Sequence, residues 1–384
     1  MADHVEFLAQ LPACAATCIV SEAQQSSCSL TDIKCICVDQ NTTMAISKCI
    51  KANCTVVDVL HATNATYAAC GMPNRDNFAI QVILPIVLGT IALMACFLKL
   101  ASRIPFPSGL EVYDIVLAIA VAATIAVDAI DVVAARRGLR RDMWTIEPDM
   151  VDAILKCFYI AEPLYLIATD ITKIAVLIFY LQVFPQSSFR ILCHCIMAMC
   201  AAHLLAFILS SLFQCAPIRY SWEYWRGEHS GHCLNANIVA WAAAASNIAL
   251  DLTILIMPLP LLVKLLMSMK QKILVLFLFS VGFVMTVVSV IRLPVLIRFT
   301  HSDNPTWDYL RVGYWSTIEI NLSIICICMP GINHFIKKLR PTSLNVVFRL
   351  QTRDQCQRGN PMSMPGNRSI MRHGDMEHNV AFQW

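Results

Sequence analysis

Apolar residues in this chain fall into long runs rather than an alternating pattern, and the runs begin only near residue 79. Seven of them are long enough to cross ~30 Å of hydrocarbon, which takes about 20 helical residues at 1.5 Å of rise. Membrane helices are expected near 79–100, 112–134, 153–182, 191–213, 238–266, 273–299 and 313–336. Pro85, Pro163, Pro258, Pro260, Pro294 and Pro330 fall inside these runs, where a membrane helix takes proline as a kink. The third and fifth runs exceed the span, so they are expected to tilt or protrude.

The first 72 residues follow a different pattern. They carry eight cysteines, Cys14, Cys18, Cys28, Cys35, Cys37, Cys49, Cys54 and Cys70. That density reads as a disulfide framework in an oxidising compartment. About 70 residues bury too little apolar area to offset their chain entropy, and each bridge adds ~2–4 kcal/mol by restricting the unfolded chain. Short helices are expected over Cys14–Val20, Thr43–Asn53 and Thr55–His61. Zinc is disfavoured because no paired C-x2-C knuckle occurs and His4 and His61 lie outside ligand spacing. The spacing does not assign the bridges.

Composition agrees with a membrane class: 57% of residues are hydrophobic and 14% charged, against ~25% charged in soluble domains. The net charge of +3 comes with no basic stretch interleaved with aromatics, so nucleic acid is not an expected partner. Phosphate-cradling glycine motifs, H-E-x-x-H and G-x-S-x-G do not occur, so an enzyme is not expected either. The expected domains are a cysteine-rich domain 1–72, a linker 73–78, a seven-helix bundle 79–336 and a mostly disordered tail 337–384.

Orientation rests on chemistry more than on charge. Lys99, Arg103, Arg190, Lys264, Lys270, Lys272 and the Lys337-Lys338-Leu339-Arg340 anchor fall on one side, and Arg136, Arg137, Arg140 and Arg141 fall on the other. The cysteines and the glycosylation sequons at Asn41 and Asn64 place the N-terminus outside and the tail in the cytosol, as expected of a multi-pass plasma-membrane protein. The first residues lack a secretory signal pattern. Either the first membrane helix is a reverse signal-anchor, or a signal lies upstream.

Ionisable groups inside the runs are Asp128, Asp131, Glu162, Asp170, Lys173, Asp251, Arg292 and Glu319. Each costs ~2.5–3.5 kcal/mol at mid-bilayer on insertion scales, so each is expected to face the bundle interior and find a partner. Asp170 is three residues from Lys173, and Arg292 pairs with Glu319 or Asp251. Two readings stay open: a polar ligand cavity or conformational switch, and a set of ion pairs that specify packing. Cys215 and Cys233 share an outer loop and are expected to bridge, with Cys157 the alternative partner. Cys96, Cys193, Cys195, Cys200, Cys326 and Cys328 read as small core residues.

The spacing Pro12-x-Cys14-x3-Cys18-x9-Cys28-x3-Asp32-x2-Cys35-x-Cys37-x11-Cys49-x4-Cys54-x15-Cys70 resembles the fungal CFEM domain at every cysteine and at the aspartate. That resemblance implies haem as a cofactor, with Asp32 the axial iron ligand and Leu30, Ile33 and Ile36 as pocket walls. The plainer alternative makes Thr31 or Asp32 a helix or turn cap.

The body resembles the fungal rhodopsin-domain family of GPCR-like proteins. The matching residues are Leu164-Tyr165, Lys173, Phe179-Tyr180 and Phe184 in the third run, then Phe213-Gln214-Cys215-x-Pro217, Trp222 and Cys233. Asn247-x3-Asp251, Pro258-Leu259-Pro260, Arg292, Trp315-x3-Glu319-x-Asn321 and Cys328-x-Pro330 follow in order. Gln182 departs from an arginine usual in relatives, and no lysine in the middle of the seventh run supports a retinal Schiff base. The two resemblances imply an all-α fold, with a disulfide-knit CFEM domain before a seven-transmembrane bundle. They imply a surface receptor for an unknown extracellular ligand, with a heterotrimeric G protein as partner at the family level only. Haem or iron capture and a simple cell-wall tether are the competing readings.

Overall fold

A computed structural model describes residues 11–29, 32–73, 75–76, 78–101, 112–264, 269–299, 304, 306–309, 312–329 and 331–332. The expected tail, together with Leu30, Thr31 and Pro330, lies outside the described residues.

Among the described residues the head has four helices: α1 (Ala13–Gln25), α2 (Ile33–Val38), α3 (Gln40–Asn53) and α4 (Val56–Ala69). Local chemistry sets where they start. α1 follows Pro12, whose fixed φ suits a helix entry. The side chains of Asp32, Asp39 and Thr55 accept backbone N–H groups of Cys35, Asn41 and Asp58, which the opening turns of α2, α3 and α4 would otherwise leave unpaired. The bridges are Cys14–Cys54, Cys18–Cys49, Cys28–Cys35 and Cys37–Cys70. The core they surround is small: Leu11, Ala15, Cys18, Ile19, Ile46, Ile50 and Ala62.

Two expectations change here. α1 and α4 run on to Gln25 and Ala69, beyond the expected ends at Val20 and His61. α2 was not expected, because six residues show no helical period. Isolated helices that short do not persist in water; its cap and the bridges at Cys35 and Cys37 hold it.

The body contains α5 (Phe78–Ala101), α6 (Val112–Arg136), α7 (Pro148–Val183), α8 (Ser187–Leu212), α9 (Ala236–Ile256), α10 (Met269–Phe299) and α11 (Thr306–Met329). Six of these are long and apolar enough to cross a membrane among the described residues. The remaining one, α10, is 31 residues long and contributes the shorter apolar stretch Gly282–Val295. α7 is the central helix: it packs on both α6 and α8, with Ala168, Ala175 and Leu177 fully buried. Small residues at such positions let helix backbones approach closely. Ile83, Ile86, Phe97, Ile125 and Leu205 lie on the outside, as lipid contact requires.

The loop between α8 and α9 folds over one end of the bundle. Cys215–Ala216 and His232–Cys233 form a two-residue antiparallel ladder in which Cys215 faces and bridges Cys233. Cys157 is a free, buried thiol.

Candidate functional site

Lys99 of α5 and Asp114 of α6 form one buried pair at 3.7 Å, and the ionisable groups expected inside the bundle gather in two further places. In the first, Lys173 of α7 donates to Asn247 Oδ1 at 2.6 Å and lies 3.3 Å from Asp251 and 3.9 Å from Asp170. Glu319 of α11 accepts from Tyr165 (2.6 Å), Ser289 (2.8 Å), Asn247 (3.2 Å) and Arg292 (3.2 Å). Arg292 also donates to the Tyr165 hydroxyl and stacks over its ring at 4.4 Å. The other Asp170 oxygen is 2.7 Å from His203 Nδ1, whose Nε2 meets Ser246 at 3.0 Å. One connected network therefore ties α7, α8, α9, α10 and α11. Its two cations face three carboxylates, so each charge has a partner in a medium where an unpaired charge is costly.

The second place lies between α6 and α11. Asn321 donates to both oxygens of Asp128 at 3.2 and 3.3 Å, and Thr317 donates to Asp131 at 3.1 Å. Asp128 and Asp131 thus sit apart from Lys173, Asp251, Arg292 and Glu319, although α11 carries partners for both groups. Glu162 lies on the exposed side of α7. Arg292 takes Glu319, and Asp251 takes Lys173. His203 and Ser289 were not singled out from the sequence. A histidine inside an apolar run was the available signal for the first; nothing marks a membrane serine such as the second.

The head meets the body through the α6–α7 loop. Arg75 pairs with Asp142 at 2.6 Å, and the same Asp142 oxygen accepts Asn304 Nδ2 at 2.8 Å. Asn304 Oδ1 in turn accepts the Met143 N–H at 3.0 Å. Thr306 at the start of α11 donates to the Arg141 carbonyl and accepts the Arg140 N–H through its own, while Arg141 pairs with Asp76 at 3.1 Å. Tyr67 stacks on Trp144, and Val57 and Leu60 pack against a cluster containing Leu139, Met143, Ile146 and Trp225. Asp142 is only 1% exposed. Its charge is held between the head's exit segment and the approach to α11.

The same loop bears on the arginines that weakened the orientation argument. Arg140 is buried at positive φ, over the Tyr314 ring, and burial pushes its guanidinium below the usual arginine range while Tyr314 and Asp131 oppose the shift. Arg141 is paired with Asp76. Two of the four are structural members of the junction.

Asp32 Oδ1 accepts the Cys35 N–H at 3.0 Å. Ile36 packs into the head's core and Ile33 is half-buried. This arrangement makes Asp32 the cap of α2 through one carboxylate oxygen. Asn41 and Asn64 are both exposed.

A disulfide-stapled helical head on a bundle of lipid-facing helices with internal ion pairs defines a multi-pass membrane protein. More specifically, the chain belongs to the fungal rhodopsin domain family, whose model matches residues 98–338, and a CFEM domain model matches residues 7–71. It is similar to a SAT4 family membrane protein of Emericella nidulans, 27% identical over 223 residues, which is 57% of this chain and 56% of that protein. It is also similar to Receptor GIN3 of Arthrobotrys oligospora, 24% identical over 276 residues, 71% of this chain and 66% of that protein. The chain therefore spans between half and two thirds of the length of these curated relatives. No solved structure matches it.

Proposed function

We propose that this protein is a GPCR-like receptor in a fungal plasma membrane, with the CFEM head outside, that passes the state of the head to its helix bundle. The observation that carries this reading is Asp142, which binds Arg75 of the head's exit segment and Asn304 before α11 with one carboxylate oxygen. α11 then supplies Glu319 to the Lys173 network and Thr317 and Asn321 to Asp131 and Asp128. A shift of the head would act first on the α6–α7 loop, next on α11, and so on the buried network around Glu319. Buried pairs suit such a role because they exchange partners between discrete arrangements. The name of one relative, a receptor, is in keeping with it. A heterotrimeric G protein is the partner the family suggests, with Gln182 standing where relatives carry arginine.

Complementation of a deletion strain with wild type, Arg75→Ala and Lys173→Met at matched surface levels tests the reading. A receptor predicts that wild type restores the strain's transcript profile across growth conditions and that both variants do not. Restoration by all three would leave a tether and would sink the proposal.

A further inference from the structure

The geometry points to a sodium-binding site inside the bundle, built by Gly89 of α5, Asp128 and Asp131 of α6, and Asn321 of α11. Two acidic side chains lie one turn apart on α6, while the cations of the larger network are committed to other partners, Lys173 to Asp251 and Arg292 to Glu319. Both oxygens of Asp128 accept from Asn321 Nδ2, and neither pairs with a cationic side chain among the described residues. Asp131 accepts from Thr317, and Arg140 acts on it from beyond ion-pair distance. Two carboxylates thus share the influence of one guanidinium. A carboxylate between apolar helices is costly unless a positive charge joins it.

An orphaned oxygen marks the place independently of the charges. Asn321 is fully buried, and its Oδ1 accepts no hydrogen bond among the described residues. Buried carbonyl oxygens normally have a partner. The direction of this one is set by the other half of the amide, whose Nδ2 donates to Asp128 at 3.2 Å and to the Thr317 carbonyl at 3.0 Å. A flipped amide would set its oxygen against a carboxylate and a carbonyl. Gly89 shows what the orphan faces. A Cβ on Gly89 would lie 3.0 Å from Asp128 Oδ2 and 3.9 Å from Asn321 Oδ1. Because α5 carries no side chain there, a charged oxygen and a neutral one converge on the same small space.

The donor set selects the ligand. Oxygen donors of this kind, with no sulfur or imidazole beside them, bind hard cations. Calcium takes about 6–8 oxygens, several of them from carboxylates, and magnesium keeps most of its water. One carboxylate and one amide oxygen at a space of methyl size suit a small ion of single charge, with water completing its shell. Potassium is larger and would press on the α5 backbone. Asp131 and Asp128 lie five and eight residues before the end of α6 at Arg136, the end nearer the head. With the head outside, sodium reaches the site from the exterior. Bound there, it would tie α5 and α6 to α11, the helix that carries Glu319. Binding of the ion is measured without any signalling output, so the site stands or falls independently of the receptor reading.

The test follows thermal unfolding of the full chain in nanodiscs, in sodium, potassium or N-methylglucamine chloride at one ionic strength. Sodium is expected to raise Tm in a saturable way, as a ligand of the folded state does, and potassium to raise it less. Asp128→Asn keeps an oxygen for Asn321 but removes the charge, and Gly89→Ala fills the space; each should abolish the sodium dependence. An equal Tm in all three salts would overturn the proposal, as would equal stabilisation by potassium, or a sodium effect that survives in Asp128→Asn. Should both variants fail to fold, retention of radioactive sodium by wild type decides. Displacement of that label by unlabelled sodium and not by N-methylglucamine supports the site, and no retention sinks it.

Discussion

The head and the bundle of this protein are stabilised by opposite means. The head surrounds a buried cluster of seven side chains with four disulfides. The bundle has no disulfide between membrane helices among its described residues; it relies on packing around α7 and on charges that pair in its interior. The contrast follows from solvent. Water drives apolar burial in the head, but too little area is available, so covalent links restrict the unfolded chain. Lipid supplies no hydrophobic force between helices, so polar groups and small residues specify their contacts.

The largest effect should come from removing the head's covalent support. Reduction of all four bridges is expected to cost of order 10 kcal/mol. Hydrogen exchange should then show α1–α4 unfolded while α6–α9 remain protected, and equal protection in both regions would break the comparison. Next comes Lys173→Ala, which leaves Asp170 and Asp251 buried without their cation. Loss of one partner of a buried pair costs about 3–5 kcal/mol, readable as a lowered Tm in detergent. Lys173→Met combined with Asp251→Leu should recover much of that loss, because it removes the stranded charge.

Smaller effects belong to the junction and the caps. Arg75→Ala removes a half-exposed partner from Asp142, which keeps Asn304, and is expected to cost about 1–2 kcal/mol in urea unfolding. Thr55→Ala should cost ~1 kcal/mol through the α4 cap, seen as faster exchange confined to the first turn of α4. The smallest effect concerns Asp39, whose carboxyl the Thr42 hydroxyl and the Asn41 and Thr42 N–H groups hold below the usual carboxylate range. A depressed folded pKa gives stability that is present above the ordinary aspartate range and lost as pH falls through the lowered value. The first turn of α3 should therefore begin to fray only in acid, and unchanged exchange there would remove Asp39 as its cap.

Much of this architecture was legible in the sequence because its signals are local or costly. Twenty apolar residues in a row have few other meanings, and eight cysteines in order give the head. Charges such as Lys173 and Glu319 stand out because burying them in lipid has to be compensated. The parts that were not legible depend on tertiary contact. α2 exists through a cap and two bridges. The junction joins Arg75, Asp142 and Asn304 from three distant polar segments, none of which has a periodic pattern. The Arg136–Arg141 cluster looked like a breach of charge asymmetry, until Arg140 proved to be buried and Arg141 paired.

In the proposed receptor the head is mechanically linked to α11 through Asp142. Hydrogen exchange on the full chain in nanodiscs, comparing wild type with Arg75→Ala, tests it most directly. Such a link should give faster exchange in the α6–α7 loop and in the opening turn of α11, with α8 unchanged. Acceleration limited to the segment around Arg75, with α11 unaltered, would contradict it.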